Sequence, residues 1–372
     1  DRSFNSGAGR VLIFYGRTGG GNPFGTTVTI GDDCIADVCL VGGAGAAFGF
    51  SLSGADDFDN DGRPDIAVGA PYHSVNSARV GRLYVLRYND YTPGAQPGSG
   101  SFYNTSVTVD SAGSGFVFTG TDTGPNTTRL LGITVAGLGT WDATAGADLV
   151  VGATGDAGAS VTGKAFFASG RAYSGPGLTQ LAPSQFGFID NGMPSGTFID
   201  QGTPEKFATA VFALGNVIDV AGQNRPGVGD LGIWTANDTG FFIYSGDTNF
   251  VPSQKVLVNG RTSEFGALVC SGRALGDLDG DGLAEVCVAG DTITGNAATP
   301  YLWYSDTFKR KYGDFSNPVF IDSGSPLNVT ATSGVTRRSV DFAGDLNGDG
   351  KGDLVVGGTN NAGEPGEFTI LY

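Results

Sequence analysis

An acidic nine-residue loop occurs three times in this chain, and its recurrence limits the fold more than any other feature. Asp57-Phe-Asp59-Asn-Asp61-Gly62-Arg63-Pro-Asp65, Asp277-Leu-Asp279-Gly-Asp281-Gly282-Leu283-Ala-Glu285 and Asp345-Leu-Asn347-Gly-Asp349-Gly350-Lys351-Gly-Asp353 share one spacing. Each puts an oxygen side chain at positions 1, 3, 5 and 9, a glycine at 6 for a tight turn, and a backbone carbonyl near position 7, from Arg63, Leu283 or Lys351. Such a set wraps a hard cation, and the donors suit calcium, which takes about 6 to 8 oxygens. A single Asp-Gly-Asp loop reads equally well as an Asx turn without an ion. Three in one chain favour the metal, because carboxylates packed this closely repel one another without a cation between them.

The loops sit inside a longer cycle. The first copy runs Phe48-Gly-Phe-Ser-Leu-Ser-Gly54, the acidic loop, Ile66-Ala-Val-Gly-Ala-Pro71, then a Gly-led aromatic strand, Gly81 to Tyr88, and an outer strand around Ser106–Val109 or Phe116–Thr119. Related cycles open at Leu131, Phe207, Phe265 and about residue 340, a spacing of roughly 58 to 83 residues. That length holds four strands and their connections, one blade of a propeller. The period therefore predicts an all-β chain, a β-propeller of four-stranded antiparallel blades with calcium loops between inner strands. Five blades are traced, at 48–130, 131–206, 207–264, 265–338 and 339–372, all in a single domain over 1–372. Residues 1–47 read either as N-terminal closing strands or as a degenerate sixth blade. The second and third copies replace the acidic loop with Gly139 to Asp148 and Asn216 to Asp230, which lack the ligand spacing.

Composition agrees with many tight turns: 64 glycines and 16 prolines in 372 residues, with no Gly-X-Y period. The net charge of -16, from 37 acids against 21 Lys and Arg, argues against nucleic acid or an anionic membrane surface as partner. Eleven of those acids lie in the three loops, so much of the charge is local. No apolar stretch of about 20 residues predicts direct membrane insertion. The chain begins at Asp1 rather than Met, as a processed secreted protein would, which predicts an extracellular location, secreted or at the cell surface. Calcium there is abundant enough to fill even modest sites. Asn104, Asn126, Asn237 and Asn328 open glycosylation triplets of a kind that also arise by chance. The four cysteines suggest two local disulfides, Cys34 with Cys39 and Cys270 with Cys287, the alternative being buried free thiols.

The Phe-Gly opening, the Asp-x-Asp-x-Asp-Gly-x-x-Asp loop and the Gly-Ala-Pro segment of Phe48 to Pro71 resemble the FG-GAP repeat of integrin α-subunit propellers. The resemblance extends over roughly residues 24–372 and is fullest in the three repeats with acidic loops. It implies structural calcium, about three ions, on one face, and ligand recognition by loops on the other. Those loops correspond to 71–80, 154–162, 237–239, 291–299 and 359–365, with 121–129, 203–206 and 323–338 between blades. The lower blade count and the end of the sequence at Tyr372 lead to the expectation that the chain departs from integrins and lacks their leg domains.

Catalytic candidates are sparse. His73 is the one histidine, in a loop that reads as a connection. Asp156, Asp190, Asp200, Asp322 and Glu264 could supply a glycosidase pair but show no pattern that sets them apart from surface charge. Tyr84, Phe166, Phe167, Phe242, Tyr244 and Trp303 fall in third strands, where packing between blades accounts for them; Tyr72, Tyr91 and Trp141 fall in loops, where they could stack on sugars. The reading that results is a non-catalytic, calcium-stabilised adhesion or recognition module, part of an extracellular assembly, that binds a protein or glycan ligand through its loop face. A secreted lectin and a polysaccharide-cleaving enzyme are the alternatives.

Overall fold

The computed structural model describes residues 4–14, 36–88, 106–109, 115–121, 129–141, 145–154, 163–170, 179–181, 187–188, 207–217, 229–235, 240–244, 255–259, 271–274, 283–289, 301–303, 319–320, 325–326, 335–344, 346–348, 353–360 and 367–372. Apart from one helical turn, Phe4–Gly7, the elements are strands. The N-terminal region gives β1 (Arg10–Ile13) and β2 (Val38–Val41). The first repeat gives β3 (Ser51–Asp56), β4 (Asp65–Ala70), the ribbon β5 (Ser74–Val75) and β6 (Ala78–Arg79), then β7 (Arg82–Leu86), β8 (Ser106–Thr108) and β9 (Phe116–Thr119). The second gives β10 (Thr134–Gly139), β11 (Asp148–Ala153), β12 (Lys164–Ala168), β13 (Thr179–Leu181) and β14 (Gly187–Phe188). The third gives β15 (Phe207–Ala213), β16 (Leu231–Thr235), β17 (Gly240–Tyr244) and β18 (Lys255–Asn259). The fourth gives β19 (Ser271–Ala274), β20 (Val286–Ala289), β21 (Tyr301–Trp303), β22 (Val319–Phe320) and β23 (Ser325–Pro326), and the fifth β24 (Val335–Gly344), β25 (Asp353–Asn360) and β26 (Glu367–Leu371).

In each repeat the first three long strands pair antiparallel in chain order, β3-β4-β7, β10-β11-β12, β15-β16-β17, β19-β20-β21 and β24-β25-β26. The sheets stack face to face along the sequence, as propeller blades do. One apolar cluster joins Phe58, Leu83, Phe116 and Phe118 of the first repeat to Leu149, Val151 and Phe166 of the second. The next joins Val150 and Phe167 to Val211, Ile233 and Tyr244 of the third. A sheet covered on both faces has no reason to alternate apolar with polar residues, and β11, Asp-Leu-Val-Val-Gly-Ala, is buried at every position. Tyr84, Phe166, Phe167, Phe242 and Tyr244 are therefore core residues, as expected for third strands. Inner strands of neighbouring sheets are also tied by hydroxyls: Ser51 Oγ donates to Gly132 O (2.9 Å), while Ser53 Oγ and Thr134 Oγ1 accept from Gly137 N–H (2.9 Å) and Val211 N–H (3.2 Å). The glycine in the Val-Gly-Ala run permits this approach, since a Cβ at Gly69 or Gly152 would collide with the carbonyl of Gly132 or Ala208 at the opening of the next repeat.

A further tie departs from simple four-stranded blades. β8, β13 and β22 each lie between the third and fourth strands of their own repeat, yet each pairs parallel with the outer strand of the preceding sheet. Thus Ser106 sits opposite Cys39, Gln180 opposite Val117 and Val319 opposite Val258. These crossings cover outer edges that would otherwise be open to pairing with other chains. Of the two outer strands foreseen for the first repeat, Phe116–Thr119 completes its own sheet and Ser106–Thr108 joins the N-terminal one.

The N-terminal strands hold third- and fourth-strand positions. Gly9 bridges to Phe48 as Gly81 bridges to Leu131, and Gly42 N–H donates to Gly9 O (3.1 Å) as Gly120 N–H does to Gly81 O (3.0 Å). β1 is then the counterpart of β7 and β2 of β9, so Ala36–Gly42 is an outer strand rather than an inner pair. Among the described residues β1 pairs with β2 and β2 with β8, and neither is paired with β26. Residues 24–30 lie outside the described residues.

The expected Cys270–Cys287 disulfide is not formed, because Cys287 is a buried free thiol. The pairing of β19 with β20 places Arg273 opposite Cys287, three residues beyond position 270. Cys270 lies outside the described residues. Cys39 is disulfide-bonded, and Cys34 lies outside the described residues. Burial pushes the Cys287 thiol up to about 12, which leaves little thiolate to react near neutral pH. Native-state alkylation at pH 8 followed by peptide mapping is expected to leave Cys287 unlabelled, with full labelling after unfolding; a Cys270–Cys287 linked peptide would contradict the register.

Candidate metal centre

The loop between β3 and β4 is shaped by carboxylates that accept main-chain hydrogen bonds. Asp57 Oδ1 accepts from Asp61 N–H (2.8 Å) and Oδ2 from Gly62 N–H (2.9 Å), which wraps the chain around one side chain. Gly62, at a φ of 86°, takes the left-handed conformation this tight return requires. At the other end Asp65 is buried. Its Oδ2 accepts from Phe58 N–H (3.1 Å) and Asp59 N–H (3.3 Å), and its Oδ1 from Tyr88 N–H (3.0 Å) just past β7. One carboxylate thereby holds the loop to two strands.

Within this frame, ligand oxygens of Asp57, Asp59 and Asp61 lie within 4.8 Å of one another. Calcium, with oxygens at roughly 2.3–2.6 Å, spans that separation. Asp59 Oδ1 is buried and accepts no hydrogen bond, an arrangement that is costly unless another positive group meets it. Burial, and then the charge of Asp61, raise the Asp59 carboxyl above the ordinary carboxylate range. Burial likewise raises Asp65 to about 7, with the Asp59 charge adding to it. A divalent cation among these groups reverses that logic by favouring the ionised forms. All the donors are oxygens, so the set fits a hard cation. The Arg63 side chain lies over the Tyr88 ring, 5.2 Å from its centre, so any share Arg63 has in the ion falls to its carbonyl.

The other two acidic loops are described in part. In the second, Leu283 and Glu285 are buried, while Asp277, Asp279 and Asp281 lie outside the described residues. In the third, Asp353 is buried; its Oδ2 accepts from Leu346 N–H (2.6 Å), and its Oδ1, like that of Asp59, accepts no hydrogen bond. Asn347 is exposed, and Asp345, Asp349 and Lys351 lie outside the described residues.

The two loops without the ligand pattern keep the same anchor. Asp148 Oδ2 accepts from Trp141 N–H (2.7 Å) and Oδ1 from Gly170 N–H (2.9 Å), and Asp230 Oδ2 accepts from Val217 N–H (2.8 Å). Asp65, Asp148, Asp230 and Asp353 thus do one job at the head of the second strand, each receiving an N–H from near the start of its loop, that of Phe58, Trp141, Val217 or Leu346. The signal was present in Asp148-Leu-Val-Val-Gly-Ala, which matches Asp353-Leu-Val-Val-Gly-Gly, but it appears only when repeats are aligned on the strand rather than on the ligands. Three of the four residues held in this way also fill the core, since Phe58, Trp141 and Val217 are buried while Leu346 is exposed. Trp141 is therefore no sugar platform. Its ring packs on Phe167 (5.1 Å between centres) and its Nε1–H donates to Gly229 O (2.9 Å).

At the other end of β4 from the metal loop, residues 71–80 form the β5–β6 hairpin, turning at Asn76 and Ser77 with φ of 49° and 66°. His73 is half-buried at its foot, where its N–H donates to Ala70 O (3.2 Å) and its carbonyl accepts from Gly81 N–H (3.0 Å). Arg79 lies over the Tyr72 ring (5.1 Å), which in turn neighbours Phe50 (6.0 Å). The glycosylation asparagines Asn104, Asn126, Asn237 and Asn328, and Tyr91, Asp156, Asp190, Asp200, Glu264 and Asp322, lie outside the described residues. Among the described residues no helix is long and apolar enough to cross a membrane.

Residues 48–86, from the turn before β3 to the end of β7, match the FG-GAP repeat family. That span carries the acidic loop and the hairpin. No curated relative matches the chain.

Asp148 accepts hydrogen bonds from two buried N–H groups, so Asp148→Ala leaves both without acceptors and is expected to cost about 2–5 kcal/mol. Urea unfolding should show the same loss in calcium and in chelator. A loss seen only in calcium would mean that the loop binds the ion.

Proposed function

We propose that this chain is an extracellular, calcium-stabilised β-propeller whose loop face recognises a protein or glycan partner, without catalysis of its own. The observation that carries the reading is the convergence of Asp57, Asp59 and Asp61 at one end of β4, with an ordered hairpin at the other. FG-GAP repeats occur in integrin-like adhesion and recognition propellers, which supports the same division of labour. Asp57, Asp59, Asp61 and the Arg63 carbonyl would hold the first ion, with Asp65 bracing the loop. Asp277, Asp279, Asp281 and Glu285 would hold a second, and Asp345, Asn347, Asp349 and Asp353 a third.

The role of calcium is structural. Bound among these carboxylates, it cancels their repulsion and fixes loops that join the two innermost strands of a blade. Recognition then belongs to the opposite loops, where 71–80 forms the β5–β6 hairpin with Arg79 lying over the Tyr72 ring. A Cys34–Cys39 bridge and glycans on the sequons fit the extracellular setting.

Calcium at about 100 times its dissociation constant stabilises a folded protein by about 2.7 kcal/mol per site. Chelation is therefore expected to lower the melting temperature by at least about 5 °C, and the double substitution Asp59→Asn with Asp61→Asn to remove one of the calcium sites seen by calorimetry. An unchanged melting temperature and no heat of binding would contradict the reading. Recognition is tested by binding to glycan arrays and to a panel of extracellular matrix proteins, with and without Tyr72→Ala and Arg79→Ala. Binding lost on substitution supports the loop face, whereas binding that persists places recognition elsewhere.

A further inference from the structure

The loops that carry the acidic anchors touch one another through hydrogen bonds to main-chain carbonyls that run from repeat to repeat. Asp57 O accepts from Ala147 N–H (2.8 Å), which crosses from the first loop to the second. Ala147 precedes Asp148, whose carboxylate holds Trp141 N–H, and Trp141 Nε1–H donates to Gly229 O in the third repeat. Gly229 precedes Asp230, which holds Val217 N–H. Asn216 O, in turn, accepts from Ala284 N–H (2.7 Å) beside Glu285 of the fourth repeat. The first and last of these links have the same form: the carbonyl at loop position 1 accepts from the residue just before the next repeat's anchor.

This arrangement joins the acidic loop at 57–65 to the acidic loop at 277–285 through two loops that have no ligand set. Asp57 is its first member and belongs to both systems, with its carboxylate in the metal cluster and its carbonyl on Ala147. Fixing that carboxylate fixes the peptide that carries the carbonyl. We propose that calcium bound at 57–65 orders the ligand-free loops of the next two repeats through Asp57, Ala147–Asp148 and Trp141. Those loops need no ion of their own, because a neighbour's ion holds them from one side and their own aspartate from the other. The inference rests on calcium filling the first loop, as proposed above.

Hydrogen exchange with mass-spectrometric readout on the whole chain, with calcium and with chelator, tests it. Calcium is expected to slow exchange at 57–65 and also at 145–151 and 229–235, the latter two by a factor on the order of ten. Asp59→Asn with Asp61→Asn should abolish the effect at 145–151 even with calcium present. Trp141→Phe, which keeps the ring and removes the Nε1–H, should keep protection at 145–151 and lose it at 229–235. Protection confined to the acidic loops would overturn the inference while leaving calcium binding intact. Asp349→Asn serves as the control: if it removes protection at 145–151 as fully as the first-loop double substitution does, the effect is a general rise in stability and the inference fails. No calcium effect even at 57–65 would instead overturn the proposed function on which the inference rests.

Discussion

A carboxylate buried at the mouth of an inter-strand loop must collect hydrogen-bond donors, a cation, or both, because the charged form is otherwise too costly to bury. The head of each second strand meets that demand in one way. Asp65, Asp148, Asp230 and Asp353 turn an oxygen toward an N–H near the start of the loop, and Glu285 is buried at the same place in the fourth repeat. In three of these loops the side chain of the pinned residue also packs inward, whereas Leu346 stays exposed. Phe58, Trp141 and Val217 accordingly fill the space between neighbouring sheets. The anchor thus sets both the path of the loop and part of the packing between repeats.

Metal binding is best understood as an addition to this frame. The loop at 57–65 uses Asp65 to brace its ends and leaves Asp57, Asp59 and Asp61 facing one another, with one Asp59 oxygen unsatisfied by protein. The loops at 139–148 and 216–230 keep the brace without the ligand spacing; Trp141 and Val217 are buried, and the Trp141 indole donates to the next repeat. On the proposed reading the same corner of the sheet is closed in one version by an ion and in the other by packing.

The acidic loops and third strands were legible because each has a local signature: fixed oxygen spacing in one case, a Gly-led aromatic run in the other. Phe242 and Tyr244 could be placed in the core on that pattern alone. The crossing strands were not legible. β13 and β22 are three and two residues long, too short to show alternation, and they pair in parallel with strands far away in sequence. The state of Cys287 turned on register, since a shift of a few residues decides which side chain faces it, and Cys spacing carries no register information. Trp141 lies in a loop, as expected, yet it is buried, because the anchor at Asp148 holds its N–H and its ring packs on Phe167. Asp148 itself was passed over with its loop's missing ligands, although the strand after it repeats the sequence that follows Asp353.

The account makes the anchoring carboxylate common to the repeats and the ion particular to three of them. Crystals of the calcium-loaded chain, measured for anomalous scattering at long wavelength, separate the two roles directly. Peaks are expected within the loops at 57–65, 277–285 and 345–353, with none beside Asp148 or Asp230. An ion at either of those two aspartates, or no ion among Asp57, Asp59 and Asp61, would contradict it.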